Sequence, residues 1–339
     1  TGIRRWCKVF YENFAARRPP LPEGDFKWGG SQERGFDLSR YVDVNLYIGN
    51  KKIKAGAVIA ALVILAVIAA LAVLVFIPPK GIYTLNGCRQ MLRNDRYIIH
   101  AGGFVEDETG EMLSYTNSRE ALENCYENGN RICELDFMMT SDGKVVCAHN
   151  EDEEDTWAHG IVAQGKTNEQ LNFYEFMGAK FNGTLTTMSL ENLTEFMREH
   201  TDFYIVTDVK DDNIGVCGII SEDYPDLRNR FIVQIYHPDE YKRIRELGFV
   251  YTIYTLYMAT PDELTADATR EFINDADLVG VTFWMDYPES FTESFEVLRQ
   301  SGLPLFVHTV NDKEQMESYI DMGIDGIYTD VVNKEDQFF

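Results

Sequence analysis

Eight short apolar runs, several of them rich in β-branched residues, recur between residues 97 and 329, and stretches with helical periodicity separate most of them. The runs are Tyr97–His100, Cys133–Phe137, Phe203–Asp208, Phe231–Gln234, Val250–Tyr254, Leu278–Phe283, Leu305–Val310 and Gly326–Thr329. The amphipathic stretches include Ser118–Asn128, Ser189–His200, Pro238–Leu247, Asp262–Asn274, Phe291–Ser301 and Asp312–Met322. Ser118 and Asp312 stand where N-caps belong, and Gly129, Gly248, Gly302 and Gly323 stand where helices stop. Strands alternating with helices pack as a parallel sheet in an α/β fold, and eight strands is the number that closes a TIM (β/α)8 barrel. An open doubly wound sheet is the rival. No Gly-rich dinucleotide fingerprint follows the first run, which weakens the case for that rival's usual occupant.

The segment before the barrel has a different character. Ala57–Ile77 is 21 residues without a charge, a polar group, a Gly or a Pro. As a helix at about 1.5 Å per residue it reaches roughly 30 Å, the thickness of a bilayer's hydrocarbon core. With 54 residues ahead of it and Pro78-Pro79-Lys80 behind, it does not have the layout of a cleaved signal. The expectation is a single transmembrane helix over 55–77.

Charge then orients that span. The net charge of −24 hides a tail, residues 1–54, with 11 basic and 6 acidic residues, and a remainder with 20 basic and 49 acidic ones. The two parts carry +5 and −29. Lys51, Lys52 and Lys54 lie beside the span, so the positive-inside rule places 1–54 in the cytoplasm and the barrel, 81–339, outside the cell. The tail scatters aromatics among Arg, Pro and Gly without a sustained period, which suits a flexible or membrane-surface segment open to a protein partner. A barrel this acidic offers no basic surface for nucleic acid.

In a barrel of this kind the chemistry sits at the C-terminal strand ends. The first run ends in His100-Ala101-Gly102-Gly103. In the second, Glu134 and Asp136 point to one face while Cys133, Leu135 and Phe137 point to the other. The turn Ser141-Asp142-Gly143 leads into Lys144–His149 and brings a second His back toward the mouth, and the third run ends in Asp208-Val209-Lys210. Each piece alone has a bland reading: a satisfied structural His, a surface Asp–Lys pair, a solvated acidic run at Glu151–Asp155. Two inward carboxylates are harder to explain, because burying like charges together is costly without a cation between them. Glu134, Asp136 and Asp208 offer hard oxygen ligands, suited to Ca²⁺ or Mg²⁺ rather than Zn²⁺. His308, at the end of the seventh run, has two readings: a substrate contact or a hydrogen-bonded wall residue.

These motifs, ordered over roughly residues 97–332, resemble the glycerophosphodiester phosphodiesterases. The match consists of His100 with its Gly pair, Asn117-Ser118, Glu134-x-Asp136, the Ser-Asp-Gly turn, His149, Asp208-x-Lys210, Thr309-Val310-Asn311-Asp312, and Gly323 through Asp330. The resemblance implies a TIM barrel and metal-assisted hydrolysis of a glycerophosphodiester to glycerol phosphate and an alcohol. It supports His100 and His149 as the proton-transfer pair and Lys210 as a complement to phosphate charge. The sequence also departs from the family pattern. Ala101 stands where Arg is usual, Asp208 where Glu is usual, Asn150 where Asp is common, and His308 where an aromatic is expected. These changes imply altered substrate contacts.

Two further readings remain open on the sequence: a relative acting on lysophospholipid or sugar-phosphate diesters, and a catalytically weak barrel used for binding or assembly. Five cysteines follow the span, an odd number, and no pairing is assigned.

Overall fold

The computed structural model describes residues 84–149, 170–209, 211–284, 291–334, 336 and 337, and the backbone of 45–48 and 51–54. The expected span at 55–77, most of the 1–54 tail, the acidic run Glu151–Asp155 and Lys210 lie outside the described residues. Among the described residues no helix is long and apolar enough to cross a membrane. The chain divides into two units, Thr1–Pro78 and Pro79–Phe339. In the first, Asn45–Ile48 pairs antiparallel with Lys51–Lys54, so the tail carries a two-stranded ribbon that its irregular composition did not suggest.

The second unit is a closed barrel of eight parallel strands: β1 (Tyr97–Ile99), β2 (Ile132–Met139), β3 (Tyr204–Asp208), β4 (Phe231–Ile235), β5 (Thr252–Thr255), β6 (Gly280–Trp284), β7 (Leu305–His308) and β8 (Gly326–Thr329). Each pairs with the next, and β1 pairs with both β8 and β2 to close the ring. The expected TIM barrel is therefore the observed one. The helices are α1 (Leu85–Asp95), α2 (Arg119–Glu127), α3 (Phe173–Gly178), α4 (Leu190–Glu199), α5 (Asn213–Asp223), α6 (Glu240–Glu246), α7 (Ala266–Asp275), α8 (Thr292–Ser301) and α9 (Lys313–Asp321).

Strand alternation sorts the side chains into two cores. Ile99, Leu135, Ile205, Val233, Val281, Val307 and Ile327 pack in the cluster shared with the helices. Their neighbours Ile98, Ile132, Val206, Ile232, Ile253, Phe306 and Tyr328 pack together in a second cluster inside the ring. At about 1.5–3 kcal/mol per buried aliphatic or aromatic side chain, this alternation sets the strand register. A one-residue slip would exchange the two faces. Gly326 leaves room for the Phe306 ring, which a Cβ at that position would strike.

The helix ends follow the residues expected of them. Ser118 Oγ accepts from Ala121 N at 3.2 Å, and an Asp312 carboxylate oxygen accepts from Gln315 N at 2.9 Å. Gly302 caps α8 in the left-handed region, whereas Gly129, Gly248 and Gly323 sit one residue beyond their caps with φ of +87°, +90° and +92°. The sequence pattern did not single out α1. It sends Cys88 and Leu92 into the inner cluster, and its Arg89 guanidinium donates to Leu278 O at 2.8 and 2.6 Å. Because Leu278 precedes β6, α1 closes the barrel at the N-terminal strand ends and leaves the opposite end open.

β2 outruns its neighbours. Its far half pairs antiparallel with Val145–Cys147, Phe137 facing Cys147, so the chain returns toward the barrel mouth as the sequence suggested. Val105, Met138, Val146, Leu171, Phe176 and Phe181 form a small core beneath this excursion.

Candidate active site

Above the apolar layer each strand delivers its next inward residue to the open end, and there the residues become polar. A cavity of about 310 Å³ is lined by His100, Ser114, Tyr115, Glu134, Asp208, Gln234, Tyr257, Trp284, His308, Thr309, Asn311, Tyr328 and Asp330.

The three expected carboxylates converge. Parallel register sets Asp208 beside Asp136 and Val206 beside Glu134. One oxygen from each of Glu134, Asp136 and Asp208 lies within 4.8 Å of the others. Each is held separately. Glu134 Oε2 accepts from Ala101 N at 2.9 Å. Asp136 Oδ2 accepts from Asn117 Nδ2 at 2.9 Å. Asp208 Oδ1 accepts from the hydroxyls of Tyr236 and Tyr257, the latter at 2.8 Å. Burial, reinforced by the Asp136 and Asp208 charges and opposed by His100, pushes the Glu134 carboxyl well above the usual carboxylate range.

Glu134 Oε1 is buried and has no hydrogen-bond partner. A buried carboxylate oxygen left unmatched costs on the order of 1–3 kcal/mol or more, and a cation would satisfy it. The oxygen-only donor set and this orphaned atom fit a hard divalent cation, with Glu134, Asp136 and Asp208 as its protein ligands.

The two histidines approach from different parts of the chain. His100 Nδ1 lies 2.9 Å from Asp330 Oδ1, the residue after β8. Asn311 braces Asp330, donating from Nδ2 to Oδ2 at 2.7 Å and accepting the Asp330 N–H at 2.8 Å. Burial works against a charged imidazole at His100. The Asp330 hydrogen bond and the Glu134, Asp330 and Asp136 charges outweigh it and raise the pKa to about 9. His149 is half-buried, two residues past Cys147. The Tyr115 ring stands between the pair, 4.7 Å from His100 and 5.3 Å from His149, centroid to centroid.

His308 satisfies both of its readings: it lines the cavity and its Nδ1 is 2.9 Å from Thr282 Oγ1. With Tyr257 and the half-exposed Trp284, which stack 6.0 Å apart at 12°, it forms an aromatic wall. Ala101 is buried, in the left-handed region at φ 46°, and contributes its backbone N–H rather than a side chain. The described lining of the cavity carries no Lys or Arg.

Sequence reasoning missed Tyr115 and Tyr257, did not connect Tyr236 with a carboxylate, and gave Asp330, Asn117 and Asn311 no role beyond membership of a motif. Asp330 was legible in principle: it continues the inward alternation of Tyr328 one residue past the end of the last strand. The Tyr236 and Tyr257 contacts had no local signal, because both meet Asp208 only once strands β3 to β5 are side by side.

Comparison with known proteins agrees with this geometry. Residues 109–334 match the Glycerophosphoryl diester phosphodiesterase family. A glycerophosphodiester phosphodiesterase of Bacillus subtilis (strain 168) is 23% identical over 252 residues, covering 68% of this chain and 82% of the relative. One from Bacillus altitudinis is 25% identical over 229 residues, covering 63% and 88%. Among solved structures, a glycerophosphoryl diester phosphodiesterase from Parabacteroides distasonis ATCC 8503 superposes with a TM-score of 0.56 at 15% identity, over 76% of this chain and 92% of that one. An Oleispira antarctica phosphodiesterase in complex with the product sn-glycerol-3-phosphate gives 0.52 at 12% identity, over 70% and 94%. These two likenesses are of fold. On the family match, the chain belongs to the glycerophosphoryl diester phosphodiesterase family and is an enzyme of that class.

Proposed function

We propose that this protein hydrolyses a glycerophosphodiester to glycerol phosphate and an alcohol, using a divalent cation, Ca²⁺ or Mg²⁺, held by Glu134, Asp136 and Asp208. One observation carries this reading: three carboxylate oxygens within 4.8 Å, opposite an Asp330-anchored His100, in a chain of this family. A bound cation supplies charge compensation and polarises the phosphoryl group. The need for it is supported by the cavity lining, whose described residues hold three carboxylates and no Lys or Arg against an anionic substrate. Lys210, next to the site in sequence, is the residue assigned to phosphate charge.

His100 and His149 share the proton transfers. One takes the proton of the attacking oxygen and the other protonates the departing alkoxide. Asp330 fixes the His100 ring by its Nδ1 and leaves Nε2 for the substrate. His308, Trp284 and Tyr257 shape the aromatic side of the cavity, and Tyr257 ties that side to Asp208. The apolar run at 57–77 and the +5 to −29 charge contrast support a single-pass anchor, with the barrel outside the cell and residues 1–54 available to a cytoplasmic partner.

A panel of phosphodiesters, including glycerophosphocholine and glycerophosphoglycerol, assayed with divalent cation and with EDTA tests the reading. Cation-dependent turnover of a glycerophosphodiester is expected. No turnover of any member with either metal would overturn it.

A further inference from the structure

Asp208 differs from the other two carboxylates in how it is held. Glu134 and Asp136 lean on an amide N–H and an Asn side chain. A single oxygen of Asp208, Oδ1, receives two phenolic hydrogens, from Tyr236 after β4 and from Tyr257 after β5. Each phenol is itself fixed. Tyr236 Oη accepts from Val209 N at 2.5 Å, and its backbone N–H donates to Glu240 Oε2 at 2.7 Å. The Tyr257 ring lies flat against Trp284 and meets His308 edge-on. Tyrosine hydroxyls need only one acceptor, and two rings from different strands would not meet on one carboxylate oxygen for packing alone.

An unrestrained Asp carboxylate rotates about its last bond, and three converging anions repel one another. Two donors on one oxygen lock the rotation and draw negative charge toward that atom, so the group keeps its place before a cation arrives. We propose that Tyr236 and Tyr257 are positioning residues for the cation, preorganising Asp208 as a ligand, with Tyr257 doing so from within the aromatic wall of the cavity. This rests on the cation reading above.

Phe substitutions remove the hydroxyls and keep the rings, so binding of the metal alone is the direct measurement. The full chain in detergent micelles, as wild type, Tyr236→Phe, Tyr257→Phe and the double variant, is titrated with Mg²⁺ and with Ca²⁺ by calorimetry. Tyr254→Phe is the control, since that ring lies on the outer face of β5 against Phe272. Each single change is expected to weaken metal binding about tenfold and the double change further, with the control's affinity unaltered; without metal Tyr257→Phe melts close to the wild type, whereas Tyr236→Phe, which also strands the Val209 N–H, melts lower. The single variants keep the test decisive if the double variant does not fold. Wild-type affinity in the Tyr236 and Tyr257 variants, or an equal loss in the control, would overturn the positioning role alone. Absence of binding to the wild type would overturn the cation reading and this inference with it.

Discussion

His100 and Asp330 meet at 2.9 Å across the seam where β8 closes onto β1, joining residues 230 positions apart in the chain. The proton on His100 is therefore tied to the fold. Its pKa rises from 6.5 to about 9, so its stabilising contribution is fully present below pH about 6.5 and is lost as the pH climbs through 9. Metal-free protein should lose on the order of 2–3 kcal/mol of stability over that window. Asp330→Asn should flatten the dependence. Denaturant titrations at pH 6 and pH 9.5 check this, and an unchanged slope in the variant would contradict it.

Glu134 has the same sign of pH dependence from a lower starting pH, and it responds to cation. Its raised carboxyl pKa means that ionisation beside Asp136 and Asp208 costs the metal-free fold stability as the pH rises above the ordinary value of 4.5. A divalent cation relieves that cost. EDTA should abolish activity and lower the melting temperature by several degrees, and Ca²⁺ or Mg²⁺ at a hundredfold excess over its dissociation constant should restore about 2.7 kcal/mol. Scanning calorimetry with and without metal, alongside the activity assay, gives the comparison.

His100→Ala and His149→Ala should each lower turnover by at least about two orders of magnitude, with circular dichroism spectra like the wild type. Tyr115→Ala, which removes the ring between them, should cost less in turnover and alter the pH profile. Full activity in either His variant would rule out the pair.

Gly103 controls the same region through its backbone. It has φ +81°, and a Cβ there would lie 2.7 Å from Ile99 Cγ2, 3.0 Å from Asp330 O and against Val332. Its N–H donates to His100 O at 2.7 Å. Gly103→Ala should destabilise the barrel by roughly 3 kcal/mol and also reduce activity, because the turn that aims His100 shifts. A thermal melt within a degree of wild type would refute the close packing.

The five described cysteines are all buried, so labelling the native thiols cannot report topology in the folded chain. Tyr174 is 84% exposed and Tyr174→Cys provides an accessible handle. In intact cells an impermeant thiol reagent should modify it and leave Cys7 untouched. Labelling of Cys7 alone would place the barrel inside.

Much of the barrel was readable along the chain. The eight runs, the caps at Ser118 and Asp312, and the shared face of Glu134 and Asp136 all depend on contiguous residues, through strand alternation and local hydrogen bonding. Element ends moved where tertiary pairing took over. β2 extends to Met139 because Val145–Cys147 adds a partner there, and β7 stops at His308. α1 went unnoticed although Leu85, Cys88 and Leu92 recur at helical spacing, because it precedes the first strand and so falls outside the alternation of strands with helices. Ala101 shows the limit from the other side. Its side chain lacks the family's guanidinium, yet its N–H holds Glu134, a contribution that residue identity does not encode.

The sequence by itself determined the eight barrel strands, most of the helices between them, the inward carboxylates and the two histidines as candidates, because those follow from periodicity over a few residues. Only the closed barrel decided which groups support them: Asp330 behind His100, Tyr115 between the histidines, and Tyr236 and Tyr257 on Asp208. Those partners stand on other strands and loops, and a chain's register against its neighbours is set by burial over the whole ring rather than by any local run of residues.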